Sequence, residues 1–257
     1  LLLSGLNAGG KTCIVEKGGT TRNHTELLLQ AMCADIKQKD RKIMLQPSVL
    51  KSTDIRIVGD ISSASYWLVL ACIKPNCQIT VQNVGLNPTR IGILNVFKKI
   101  GVDFTVDNVR MDCEIFGDIT VRYKPHLKPF EIDSEMIPTL IDELPILSLL
   151  ACFCEGKSSI TGAEELRVKE SDRISNIVQN LKAINADIKE DADGMTIHHS
   201  QLIGNVSLCA RQDHRIAMTM EIASAVLGGI DVRDNACIAV SYPNFLDELK
   251  KINREML

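Results

Sequence analysis

Apolar and polar positions along the chain follow one order several times over. Asp60 and three serines precede the unbroken apolar run Tyr66-Trp-Leu-Val-Leu-Ala-Cys-Ile73, which predicts a buried helix opened by a polar cap. A turn at Pro75-Asn76 follows, then the strand-like Gln78-Ile-Thr-Val-Gln82. Beyond Gly85 and Pro88 a second helix is expected over residues 90–100, then Gly101 and a strand from Val102 to Val106. The order returns from Asp142: a helix through Cys154, a turn at Glu155-Gly156-Lys157, extension at Ser159-Ile-Thr161, a helix over residues 170–184 and the strand-like Ala186-Asp-Ile-Lys189. It returns again from Asp213, with a helix through Leu227, a turn at Gly228-Gly229, extension at Ile230-Asp-Val232 and a last helix over residues 244–254. A partial copy stands at the front, where residues 1–6 read as the tail of a helix, Gly9-Gly10-Lys11 as a turn, Thr12-Cys-Ile-Val15 as a strand and residues 25–33 as a helix. Further strand-like segments, beginning at Lys42, Ile55, Ile119 and Met195, lie between the copies.

A unit of this kind cannot bury its own helices, so several copies are expected to pack around one helical core with small sheets outside, an α/β architecture. At 257 residues the chain exceeds the usual domain of about 100–200 residues. Residues 55–257 hold three copies and are expected to form one domain, with residues 1–54 the remnant of another. The apolar start Leu1-Leu2-Leu3, with no Met and no basic stretch, reads as the interior of an element and not as a signal peptide.

Composition narrows the function classes. Twenty-nine basic and 32 acidic residues are interspersed and give a net charge of −3, so no broad cationic face exists for nucleic acid or an anionic membrane. The longest apolar stretch, from Leu144 to Cys154, is about half of what a bilayer span requires. Nine cysteines, most in apolar contexts such as Cys33, Cys72, Cys152, Cys154 and Cys209, suit buried thiols in a reducing, cytoplasmic setting. Their spacing lacks the paired pattern of a zinc site. His198-His199 reads as a strand end and Trp67 as core.

Any anion site must therefore be local. Glu164 to Arg173 packs acids and bases together ahead of a helix, and Asp213-His214-Arg215 and Asp142 also stand at helix starts. Each has a plain structural reading: Asp142 and Asp213 as caps, Glu170 with Arg173 as an i,i+3 surface pair. Their related places in the repeat favour a second one, because pseudo-symmetric copies bring those helix starts to one end of the domain. Helix N-termini attract anions, and Lys169, Arg173 and Arg215 would add a cationic pocket suited to carboxylate or phosphate. Glu170 or Asp142 could move a proton there, and His214 titrates near neutrality.

Six motifs then carry a resemblance: Arg22-Asn-His-Thr-Glu26, Gly59-Asp-Ile-Ser-Ser-Ala64, Gly85-Leu-Asn-Pro-Thr-Arg90, Ile141-Asp-Glu-Leu-Pro145, Arg167-Val-Lys-Glu-Ser-Asp-Arg173 and Asp213-His-Arg-Ile-Ala-Met218. In this order, and over essentially the whole chain, they resemble the 5-enolpyruvylshikimate-3-phosphate synthase family. The resemblance implies domains of three βαβαββ units with helices inside and small sheets outside, and an active site in the cleft between two such domains. It implies transfer of the enolpyruvyl group of phosphoenolpyruvate to the 5-hydroxyl of shikimate 3-phosphate, with phosphate released and with no metal or organic cofactor.

By the family's motifs Asp142 is the carboxylate facing the 5-hydroxyl and Glu170 the acid and base near C3 of phosphoenolpyruvate. Lys169 is a substrate-binding lysine, Arg173 and Arg215 clamp phosphoenolpyruvate with His214 beside them, and Arg22 reaches shikimate 3-phosphate from the other domain. Two departures stand out. Val240 precedes Ser241-Tyr242-Pro243 where some members carry lysine, and the family's N-terminal substrate-binding motifs, its Lys-Ser pair and the Ser-Ala-Gln segment before the helix that Leu1 continues, are expected to lie outside the 257 residues. The chain alone is therefore expected to be inactive or nearly so without the N-terminal segment that carries them. The rival readings are a related transferase acting on UDP-N-acetylglucosamine and a non-catalytic anion-binding domain. Asp60 is expected to cap its helix at the crossing between domains, with Gly59 supplying hinge freedom.

Overall fold

The computed structural model describes residues 1–17 and 21–255. The front segment carries α1 (Leu2–Gly5), β1 (Thr12–Val15), α2 (His24–Ala31), β2 (Ile36–Lys39) and β3 (Lys42–Leu45). After an extended stretch come α3 (Ile61–Ile73), β4 (Gln78–Gly85), α4 (Gly92–Ile100), β5 (Asp103–Met111) and β6 (Ile115–Arg122). The next group is β7 (Glu131–Ile132), α5 (Leu144–Ala151), β8 (Lys157–Ile160), α6 (Arg173–Ala183), β9 (Ile188–Asp191) and β10 (Gly194–His198). The last comprises β11 (Ser207–Cys209), α7 (His214–Leu227), β12 (Asp231–Arg233), α8 (Ile238–Ser241) and α9 (Phe245–Glu255).

The sheets make the repeat explicit. Their strand orders are β1-β3-β2, β4-β6-β5, β7-β8-β10-β9 and β11-β12. In the second group β7 runs parallel to β8 around the crossover helix α5, and the antiparallel hairpin β9–β10 completes the sheet. A parallel pair needs such a crossover, whereas adjacent antiparallel strands need only a turn. The first group repeats this order, with the Gly59–Val84 bridge standing where β7 meets β8. In the third, β11 and β12 are parallel around α7 and no hairpin follows α9 among the described residues.

α3, α5 and α7, the first helix of each unit, pack on one another. Every residue of α5 is buried, and nearly every residue of α3, which is why their sequences are apolar on all sides. Each leucine or isoleucine fully buried there contributes about 1.5–3 kcal/mol. α4 and α6 lie outside them and are amphipathic; α6 buries Ile174, Ile177, Val178 and Leu181. α4 ends on Gly101 at φ 85°, with Lys98 and Lys99 in its last turn. Among the described residues nearly all buried apolar side chains fall into two clusters, one from Ile61 to Leu249 and a small one of Leu29, Ile36, Ile43 and Leu45.

Several expectations change. Residues 55–58 form no strand; Gly59 alone bridges to β4. Gly59 is also no free pivot, since its N–H bonds Asn83 O at 2.8 Å and its carbonyl accepts from Gly85 N at 2.8 Å. The helix expected from Asp142 begins at Leu144, with Pro145 in its first turn, and ends at Ala151. Asp142 lies before it in a 3-10 turn, Ile141–Glu143, and caps nothing. Residues 170–172 likewise precede α6, whose cap is Asp172, while a 3-10 turn covers Glu164–Val168. Cys33 is exposed after the end of α2, at φ 64°. Asp60 does cap α3, accepting from Ser63 N at 3.0 Å, and Trp67 is buried in it. No helix among the described residues is long and apolar enough to cross a membrane.

Candidate active site

The site forms where the starts of α5, α6 and α7 meet the loop before α2. Asp142, freed from capping by its place in the 3-10 turn, faces arginines from separate parts of the chain. Arg22 Nη2 donates to its Oδ2 at 2.6 Å, Arg215 Nη2 lies 3.5 Å from the same oxygen, and Arg173 Nη1 lies 3.7 Å from Oδ1. Burial pushes the Asp142 carboxyl up, but Arg215, the hydrogen bond from Arg22 and the charge of Arg173 outweigh it and hold the group below its ordinary value.

Arg173 is the pivot of the cluster. Its side chain is 1% exposed, and its Nε donates to Asp213 Oδ2 at 2.9 Å while Nη2 donates to Glu170 Oε2 at 2.5 Å. Its Nη1 is buried with no hydrogen-bond partner. Asp213 is fully buried and serves two elements, because its Oδ1 caps α7 by accepting from Arg215 N and Ile216 N while Oδ2 takes Arg173 and Ser171 Oγ. Sequence reasoning assigned Asp213 only the cap. The ion pair has no signature in the local pattern, since its partner lies 40 positions away.

His214 is half-buried at the first position of α7. Burial, reinforced by Arg215 and only partly opposed by Asp213 and Glu170, lowers its pKa, so the imidazole is neutral at neutral pH. Glu170 reaches the cluster through Arg173, its own side chain half exposed. Lys169 does not join the arginines: its ammonium pairs with Glu165, one turn back. The neighbouring Arg167 is structural, tying Asp172 and Glu190 to the Asp191 and Ala192 carbonyls. Val240 stands exposed on α8.

Bonds between motifs far apart in the sequence form one connected network. Arg22 meets Asp142, and Asn87 Nδ2 donates to Asn23 Oδ1 at 2.8 Å. Arg90 donates to Asp60 and Ser62, Ser62 donates to Glu143, and Arg173 joins Asp142 to Asp213. All six of the sequence motifs that carried the resemblance take part.

Comparison with known proteins accounts for that convergence. The profile of the family described as EPSP synthase (3-phosphoshikimate 1-carboxyvinyltransferase) matches residues 1–249. The chain belongs to the EPSP synthase family. A curated EPSP synthase relative, the 3-phosphoshikimate 1-carboxyvinyltransferase of Parasynechococcus marenigrum, is 42% identical over 258 residues. That match covers 98% of the chain and 58% of the relative. The solved EPSP synthase of Acinetobacter baumannii superposes with a TM-score of 0.90 at 35% identity, again over 98% of this chain and 58% of that one. The enolpyruvyl transferase NikO of Streptomyces tendae shares the fold, with a TM-score of 0.78 at 17% identity. The chain thus spans a little under three fifths of the length of these EPSP synthase relatives.

Proposed function

We propose that the chain, completed by the portion its relatives carry beyond the matched region, transfers the enolpyruvyl group of phosphoenolpyruvate to the 5-hydroxyl of shikimate 3-phosphate. The observation that carries this reading is the convergence of Arg22, Arg173 and Arg215 on Asp142. Three guanidinium groups around one carboxylate, with a spare N–H on buried Arg173, suit substrates that bring a phosphate and a carboxylate of their own.

The chemistry assigns the residues as follows. The 5-hydroxyl oxygen bonds to C2 of phosphoenolpyruvate while C3 takes up a proton, which leaves a tetrahedral adduct. The C2–O bond to phosphate then breaks, C3 returns the proton, and inorganic phosphate leaves, taking up in turn the proton that came from the hydroxyl. Asp142 accepts the hydroxyl proton and Glu170 supplies and recovers the proton at C3. Arg173 and Arg215 neutralise phosphoenolpyruvate, Arg22 holds shikimate 3-phosphate, and Lys169 swings from Glu165 to a substrate anion. Once substrate anions take over the guanidinium groups, the ionised form of Asp142 loses support and its proton affinity rises, which makes it a better base. The cytoplasm, where the nine free cysteines stay reduced, is the expected setting.

The test measures phosphate release with the chain joined to the N-terminal portion of the Parasynechococcus relative. Release that requires shikimate 3-phosphate and fails with UDP-N-acetylglucosamine supports the reading, with little or none from the chain alone. Release driven by the UDP-sugar, or none with either acceptor, refutes it.

A further inference from the structure

Behind Asp142 lies a buried polar cluster that the reaction steps above do not use. Glu143, the next residue, is fully buried, and its Oε1 accepts from Ser62 Oγ in the first turn of α3. Ser62 Oγ in turn accepts from Arg90 Nη2 at 2.7 Å, and the same nitrogen donates to Asp60 Oδ1 at 3.1 Å. Glu143 Oε2 and Arg90 Nε are buried without hydrogen-bond partners, and the buried hydroxyl of Tyr66 on α3 lies against Arg215. Buried polar atoms left unpaired are uncommon, and in a cluster beside a functional carboxylate they call for an explanation.

A carboxylic acid would be a poor choice if its only task were to fill space between α3 and α5, since an apolar side chain would do so without an unpaired oxygen. What the acid adds is a fixed attachment and a titratable charge. The attachment runs from the Ile141–Glu143 turn through Ser62 to Arg90, so it binds the turn that carries Asp142 to the starts of α3 and α4. Resting on the reading that Asp142 faces a substrate hydroxyl, we infer that Glu143 is a positioning residue, which sets Asp142 among its arginines and changes the charge behind it as it gains or loses a proton.

The surroundings fix the direction of that coupling. Burial pushes the Glu143 carboxyl up to about 7; the Ser62 bond and Arg90 oppose this, Asp142 adds to it and Arg215 opposes it. Ser62 and Tyr66 face it from α3, Arg90, itself paired with Asp60, from ahead of α4, Asp142 from its own turn and Arg215 from α7. An ionised Glu143 competes with Asp142 for Arg215, whereas a neutral one leaves more of Arg215's charge to Asp142.

The test follows the side-chain carboxyl carbon of Asp142 by 13C NMR across pH 5–9 in the 257-residue chain. The native chain shows a secondary step near neutrality, which Glu143→Gln abolishes and Ser62→Ala moves to higher pH. In the completed enzyme, Glu143→Gln lowers kcat about tenfold or more with KM within about twofold, and the near-neutral inflection in the rate profile disappears. An Asp142 trace unchanged in folded Glu143→Gln, or in Ser62→Ala should the first variant not fold, overturns the inference. Loss of the step in a protein that releases no phosphate would sink the functional reading and leave the positioning role standing.

Discussion

Replacing Asp213 separates the two tasks of one buried side chain. Asn at this position keeps an oxygen for the cap of α7 but puts an amide opposite Arg173, whose side chain is 1% exposed. Breaking one half of a buried pair leaves an uncompensated charge and costs about 3–5 kcal/mol. Ala removes the cap as well, adding about 1 kcal/mol. Against a typical domain stability of about 5–15 kcal/mol, either change is large. In urea unfolding with a slope near 3 kcal/mol/M, Asp213→Asn is expected to lower the midpoint by about 1–2 M, and Asp213→Ala by somewhat more. The loss persists in 1 M NaCl, at which the screening length of about 3 Å leaves buried pairs little affected. Midpoints within about 0.3 M of the native chain, or an Asn variant no better than Ala, would refute the division of labour.

Other outcomes follow from single contacts. Glu143 is raised from 4.5 to about 7 in the folded chain, so its contribution to stability is complete below pH 4.5 and is lost as pH rises towards 7, about 3 kcal/mol in all. Glu143→Gln removes that slope in thermal melts between pH 5 and 7, and an unchanged slope would count against the raised value. In the completed enzyme Glu170→Gln lowers kcat about 10²- to 10⁴-fold with a small change in KM, as expected for lost proton transfer; a variant at native rate would remove Glu170 from the mechanism. Tyr242 accepts from Trp67 Nε1 at 3.1 Å and donates to Glu248 Oε2 at 2.5 Å, linking α3 to α9. Tyr242→Phe should cost about 1–3 kcal/mol in urea unfolding, and an unaffected midpoint would show the bridge to be idle.

The inner helices were legible because α3 and α5 are apolar on every side and α3 and α7 open on Asp caps, signals that belong to the local chain. The outer strands and helices followed from alternation and from glycine turns such as Gly101. What escaped depended on partners far along the sequence. Ile55 to Val58 alternates like a strand, yet only Gly59 finds a neighbour to bridge. Asp142 looks like a cap because Pro145 follows it, and only the fold shows the 3-10 turn that releases its carboxylate to Arg22, Arg173 and Arg215. The fold brings Arg22, Arg173 and Arg215 to Asp142 and Glu170 to Arg173, whereas Lys169 turns to Glu165, one turn back along the chain. Glu143, Ser62 and Tyr66 read as an acid, a cap serine and a core aromatic until packing placed them together behind the site.

Single-turnover phosphate release tests most directly whether the Asp142 cluster performs the transfer. The completed enzyme, saturated with phosphoenolpyruvate and shikimate 3-phosphate, is compared with its Asp142→Asn variant, which keeps the shape of the side chain and loses the charge. The reading predicts phosphate release at least about 10²-fold slower in the variant than in the native enzyme, with both substrates still bound. A variant that releases phosphate at the native rate would contradict it.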